Sequence, residues 1–406
     1  MLKLLAEKKL NSKTQAYIER FIPKNEPILS SKKKYIQVCW PDIDFQEEKL
    51  VIEALRTGWL SSHGTYVKKF QKKFAQYCQV PFAIAVTNGT HALQLILAGL
   101  GIGKGDEVII PTFTMIATAN AVAYCNATPV FVDARLDTWN IDEQKIEAAI
   151  TNKTKAIIVV HIYGHPCEMD AIMEIARKYN LAVVEDAAEA HGSTYKGRKA
   201  GSLADAASFS FYTNKMITTG EGGMITTTHN KLCKLLDQLH SHAFSKEIHF
   251  WHPYLGYNFR MTNLQAAIGI AQLKKINRFI RMRQKNAHEY RKKLAGIPGI
   301  TFQAELPEVS SNHWMSGIRI TSPFPLTRDE LRIKLASCGI ETRTFFIPLH
   351  FQPYYCKKKY LGKFLIAEQL CAEGLYLPSS SALSQKQLHY ITDTITKISH
   401  SNERFI

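Results

Sequence analysis

The sequence predicts an α/β protein: a large domain built on a mixed, mostly parallel sheet covered by helices, followed by a smaller C-terminal α/β domain. Three observations carry this. From Val80 to about Thr228, short apolar runs alternate with helical stretches. Several of those runs are continuously apolar, as strands buried on both faces are. A long helical pattern over 262–294 then leads into a second, shorter α/β pattern. At 406 residues the chain has ample length for two cores. The expected division is a basic N-terminal extension (1–36), a large domain (37–275) and a small domain (276–406).

Taken in order, the chain opens with nine Lys or Arg against three Glu in residues 1–34. Asn11 or Ser12 is placed to cap a short helix whose apolar face is Tyr17, Ile18, Phe21 and Ile22, ending before Pro23. Asp44 is placed to cap the next helix and Gly58 to end it. A polar turn over 59–64 precedes another helix over 66–77. Strands are predicted at 83–86, 108–110, 130–132, 156–160 and 182–185. Helices at 91–100, 117–124, 143–150 and 169–179 lie between and beside them. After the long helix, a strand at 317–320 and helices at 328–337 and 386–398 complete the small domain.

Composition narrows the function classes. Hydrophobic residues are 46% and charged residues 21%, ordinary values for a globular protein. No apolar run approaches a membrane span, and the N-terminus lacks the apolar core of a secretory signal, so a cytoplasmic location is expected. The eight cysteines are scattered without a C-x-x-C pair, which argues against a zinc site or a disulfide scaffold. The net charge of +16 is spread along the chain. Its basic arm has no aromatic-basic pattern for nucleic acid, and a solvated extension is the simpler reading.

Three stretches carry chemistry. Thr87-Asn88-Gly89-Thr90-His91 follows a strand and opens a helix, so free N–H groups and a positive dipole end form a phosphate cradle. An ordinary capped helix fits that stretch equally well on its own. Asp186 ends an apolar strand, suited to hold a positive charge in a dry site or simply to cap the next helix. Lys215 comes after the strand-like Ser208-Phe209-Ser210-Phe211 and precedes a Thr- and Gly-rich turn. A partly desolvated lysine there is what Schiff-base chemistry requires, although most lysines in such a basic chain are solvated.

As a set these pieces resemble the DegT/DnrJ/EryC1/StrS family of pyridoxal phosphate-dependent nucleotide-sugar aminotransferases. The resemblance rests on Gly58-Trp59-Leu60-Ser61-Ser62, Asn88-Gly89-Thr90, Pro111-Thr112-Phe113-Thr114, His161-Ile162-Tyr163-Gly164, Glu185 to Glu189, Ser208 to Gly223, Gly256 to Met261 and Glu341-Thr342-Arg343. Phe345 to His350 and Leu377-Pro378-Ser379-Ser380 extend it, so that it covers residues 37–385. It implies the fold-type I arrangement of such transferases, a pyridoxal 5′-phosphate cofactor, a pyridoxamine phosphate intermediate and a homodimer with shared sites.

Position by position, Lys215 matches the Schiff-base lysine and Asp186 the partner of the pyridine nitrogen. Gly89, Thr90 and Ser210 match phosphate contacts, and Asn258 matches a phosphate contact from the neighbouring subunit. Glu189 stands where many members carry Gln beside the cofactor hydroxyl. Met115 stands where most carry a stacking aromatic. Ser61, Ser62, Tyr212, His313 and His350 are candidates for the substrate, although each histidine is as easily a packed one, and Arg260 is a candidate for the donor carboxylates. The implied reaction moves an amino group from L-glutamate to the C4 keto group of a nucleotide-linked 4-keto-6-deoxy sugar, with a GDP-linked acceptor foremost and UDP- or dTDP-linked ones as alternatives. A sugar dehydratase of the same fold would carry His in place of Lys215. A non-enzymatic sugar-nucleotide-binding protein would not need Lys215 or Asp186.

Overall fold

A computed structural model describes residues 10–24 and 35–400; the remaining parts of the basic arm lie outside the described residues. Helices α1 (Ser12–Ile18), α2 (Phe45–Thr57) and α3 (Thr65–Cys78) lead to strand β1 (Phe82–Val86). There follow α4 (Gly89–Gly99), β2 (Glu107–Pro111), α5 (Ala117–Tyr124), β3 (Thr128–Val132), β4 (Thr154–Val160), α6 (Met169–Tyr179) and β5 (Ala182–Asp186). Short strands β6 (Thr194–Tyr195) and β7 (Arg198–Lys199) precede β8 (Ala206–Ser210), β9 (Gly223–Thr227), α7 (Asn230–Leu239) and the long α8 (Asn263–Leu294). The rest comprises β10 (Ile300–Phe302), β11 (Val309–Ser310), β12 (Ser316–Ile320), α9 (Arg328–Ser337), β13 (Arg343–Thr344), α10 (Leu365–Glu373), β14 (Gly374–Leu377) and α11 (Gln385–Ser399).

The main sheet has the order β1-β9-β8-β5-β4-β2-β3. Its centre, from β8 to β3, is parallel, whereas β9 runs antiparallel to both β1 and β8. Strand alternation sorts its side chains between two faces. Val108, Ile110, Ile158 and Val184 meet α4, α5 and α7 on one face. Ile109, Ile157 and Val183 meet α6 on the other, where Phe70, Phe74, Phe209 and Phe279 join α3 and α8 to the sheet. An antiparallel sheet, β10-β12-β14-β13, packs on α9, α11 and the end of α8. The two cores share α8: Ile270, Ile276 and Phe279 lie in the first, Tyr290 and Leu294 in the second.

Local signals account for the element ends. Asn11 caps α1. Asp44 and Glu47 form a capping box on α2, and Gly58, at φ +72°, ends that helix. One helix expectation fails. Residues 143–150 form two tight 3-10 turns, Glu143–Lys145 and Glu147–Ala149, closed by bonds such as Ala149 N–H to the Ile146 carbonyl at 2.9 Å. Asp142 caps the first turn through the Gln144 N–H, and the Glu143 carboxylate is occupied by Arg135. No helix among the described residues is long and apolar enough to cross a membrane.

Candidate active site

A cavity of about 670 Å³ opens at the carboxyl ends of the main-sheet strands, where ligands of such sheets sit. Asn88, Gly89 and Thr90, at the start of α4, form one wall. The Asn88 side chain accepts from the His91 N–H at 2.8 Å, which leaves the N–H groups of Gly89 and Thr90 as the uncapped donors of the first turn. Ser210, at the end of β8, faces them: a Cβ on Gly89 would meet the Ser210 Cβ at 3.0 Å. A larger residue there would have to push Ser210 back by a few tenths of an ångström. The result is a cradle of backbone donors and hydroxyls fit for a phosphate.

Asp186 ends β5. Its carboxylate accepts from the Thr118 hydroxyl at 2.8 Å and from the Ala188 N–H at 3.3 Å. Burial raises its pKa, opposed by the Thr118 hydrogen bond and the nearby charge of Lys215. Glu189, one turn further on, accepts from the Tyr163 N–H at 2.8 Å. Tyr163 presents that N–H from a left-handed conformation, φ +53°, costly for a tyrosine and held by its buried aromatic surroundings. Burial pushes Glu189 up to about 7.

Lys215 sits in the turn after β8, closed by bonds from the Thr218 hydroxyl and the Thr219 N–H to the Phe211 carbonyl, each 2.9 Å. Its side chain is 13% exposed, with Nζ 3.8 Å from Glu189 Oε1. The ammonium lies 4.0 Å from the centroid of Trp314, whose indole N–H donates to the Asn214 carbonyl at 2.8 Å. Burial lowers the Lys215 pKa against the pull of Glu189 and Asp186, and thus favours the neutral, nucleophilic amine. The Asn214 side-chain oxygen, also on the cavity wall, is buried without a hydrogen-bond partner.

The cavity therefore gathers Gly89, Thr90, Met115, Asp186, Glu189, Ser210, Tyr212 and Lys215. Met115 and Tyr212 are about half exposed at its mouth. Asn258 is exposed and outside the cavity of its own chain; the Arg260 guanidinium donates to its side-chain oxygen. Ser61 and Ser62 are in the turn after α2, also outside this cavity. The two candidate histidines lie off this cavity wall. His350 is fully buried between the Thr112 hydroxyl at 2.7 Å and Glu368 at 3.2 Å. His313 lies beside Glu305 at 3.5 Å, in a small separate cavity with Arg291 and Gln303. Both have internal partners instead of a place on the cavity wall. Thr118, Phe346 and Tyr376 also belong to the site: Thr118, in the first turn of α5, through its bond to Asp186, and Phe346 and Tyr376, from the small-sheet region, on the cavity wall. The sequence singles out none of the three, although Phe346 lies in a stretch that carries the family resemblance.

A sheet-end cavity with a desolvated lysine, a strand-end acid and a helix-start cradle defines an aminotransferase-type site, and the comparisons agree. Residues 41–396 match the DegT/DnrJ/EryC1/StrS aminotransferase family, and the chain belongs to it. The GDP-perosamine synthases of Caulobacter vibrioides and Escherichia coli O157:H7 are 43% and 44% identical to it, over 89% and 90% of this chain and 98% of each relative. Among solved structures, Spr1654 of Streptococcus pneumoniae in its PMP form superposes with a TM-score of 0.85 at 31% identity, covering 90% of this chain and 98% of that one.

Proposed function

We propose that this protein is a pyridoxal 5′-phosphate-dependent aminotransferase that converts a GDP-linked 4-keto-6-deoxymannose to GDP-perosamine, with L-glutamate as donor, for surface polysaccharide such as O-antigen. The single observation that carries the reaction class is the water-deprived Lys215 amine between Glu189 and Trp314, beside a phosphate cradle. The two perosamine synthases, matched along almost their whole length, support the acceptor. Spr1654, solved in PMP and PLP forms, supports the cofactor.

The residues present fit that cofactor. The Gly89 and Thr90 N–H groups and Ser210 hold its phosphate. When bound, the cofactor supplies an aldehyde that condenses with amines and a ring that accepts electron density. Asp186, with lone pairs to spare in a dry site, would hold a proton on the ring nitrogen. Glu189 would serve the ring hydroxyl and, with Lys215, set the local charge. Lys215 would hold the cofactor between turnovers, and its free amine would take a proton from the donor α-carbon or return one, as base in one direction and acid in the other. Met115 would offer its thioether to the ring. Tyr212 lines the sugar side. In a homodimer Asn258, Ser61 and Ser62 serve the neighbouring site, which accounts for their place outside the cavity of their own chain and for the exposure of Asn258 and Ser61. The location that suits such an enzyme is the cytoplasm.

The test is an absorbance titration of wild type and Lys215→Ala with glutamate, then with the GDP-linked keto sugar. Wild type should lose its visible cofactor band with glutamate and regain it with the sugar. Lys215→Ala should turn over at least about 10³-fold more slowly. Recovery only with a UDP- or dTDP-linked keto sugar would replace the acceptor. A band that never responds to glutamate would overturn the aminotransferase reading.

A further inference from the structure

The segment before residue 41 lies outside the family match. Its described part is nevertheless built into the body. Leu10, Tyr17, Ile18, Phe21 and Ile22 cluster with Ile347, Phe351 and Leu361. The ring of Phe351 sits 6.2 Å from Tyr17 and 5.6 Å from Phe21. From this contact a hydrogen-bonded chain runs inward. The Tyr17 hydroxyl donates to Glu368 Oε2 at 2.6 Å. Glu368 Oε1 accepts from the Gly362 N–H at 3.1 Å and faces His350 Nε2 at 3.2 Å. His350 Nδ1 lies 2.7 Å from the Thr112 hydroxyl, and the Leu349 N–H donates to the Thr112 carbonyl at 2.8 Å.

The partners assign the protons. A carboxylate at Nε2 places the imidazole hydrogen there, so Nδ1 accepts from Thr112. Every polar group on the line then has a partner, which makes it rigid. Two segments tied to this contact reach the cavity. Thr114 and Met115, just beyond Thr112, are on its wall, and so is Phe346, next to Ile347.

We infer that α1 is an intramolecular brace for the active-site wall, and that Tyr17 is a positioning residue acting through Glu368, His350 and Thr112. The extension thus fixes the two segments, 112–115 and 345–351, that bring Thr114, Met115 and Phe346 to the cavity wall. The catalytic consequence rests on the aminotransferase reading; the mechanical one does not.

The experiment compares wild type, Tyr17→Phe, Glu368→Gln, the double variant and Lys13→Ala, an exposed control on the same helix. Amide hydrogen exchange is followed on the full chain without cofactor, in segments 112–115 and 345–351. Steady-state kinetics are measured on the loaded enzyme. Tyr17→Phe should speed exchange in both segments and lower kcat/KM about fivefold to tenfold, the scale of one hydrogen bond to a charged group, while Lys13→Ala does neither. The double variant should be no worse than Glu368→Gln alone, because both break one line. Unchanged exchange in Tyr17→Phe, or additive losses in the double variant, would overturn the brace. If Glu368→Gln does not fold, the exchange result for Tyr17→Phe decides. Faster exchange in a protein whose wild type transfers no amino group would retain the brace and remove the aminotransferase reading.

Discussion

Glu185 and Asp186 are consecutive on β5, both buried, both carboxylic acids, and they point to opposite faces of the sheet. Glu185 is saturated. It accepts from the N–H groups of Gly201 and Leu203 at 2.8 Å and of Ala204 at 3.2 Å, and from His161 Nε2 at 3.0 Å. That histidine is oriented by the Cys167 N–H on its other nitrogen. Asp186 has one hydroxyl and one long backbone bond. The first acid ties the 201–204 loop to the sheet; the second keeps capacity for a ligand. Two residues of nearly the same chemistry differ in how completely the backbone satisfies them, and only the second is left with lone pairs to offer.

The sharpest way to break this comparison is to neutralise each acid. Asp186→Asn should lower kcat on the order of 10²- to 10⁴-fold while the unfolding free energy moves by less than about 1 kcal/mol. Glu185→Gln should lose about 3 kcal/mol or more, because it leaves buried donors facing an amide, yet keep its turnover per folded molecule. Denaturant unfolding and kcat, measured side by side, read both. If Glu185→Gln lost turnover at full stability, the division would fail.

Glu189 extends the comparison to pH. It has a single backbone donor from Tyr163 and is held near 7 rather than its ordinary 4.5. Between those values the folded chain keeps a proton that the unfolded chain has lost. Stability from this group is therefore present below about 4.5 and is lost as pH rises toward 7, on the order of 2–3 kcal/mol in the cofactor-free protein. Glu189→Gln should flatten that part of the stability profile relative to wild type. A parallel pair of profiles would show that Glu189 holds no such extra proton in the folded chain.

The smallest effect concerns the cavity mouth. Met115→Phe should tighten cofactor binding about twofold to tenfold, the range of an aromatic contact, as read by equilibrium dialysis. No gain would mean that Met115 does not lie over the ring.

Most of the frame was legible because its signals are local. Buried parallel strands are short apolar runs, and Asp44 and Gly58 mark helix ends by their own chemistry. Asp186 and Lys215 stood out as polar residues at the ends of apolar strands. What was not legible depends on distant partners. Nothing in residues 117–124 says that Thr118 will meet Asp186, 68 positions away. His350 stands in a matched motif, and its two partners, Glu368 and Thr112, come from stretches that say nothing of it. The 143–150 stretch has a helical pattern, but its carboxylate and cap bonds favour two single turns.

The shared helix α8 has a practical side. Its 32 residues make a rod about 48 Å long, and its two ends belong to different cores. A chimera that borrows the small sheet of another sugar aminotransferase, to change which sugar is accepted, cannot be spliced near residue 275 without cutting this rod. Grafts should carry α8 whole or leave it whole, with the seam placed outside residues 263–294.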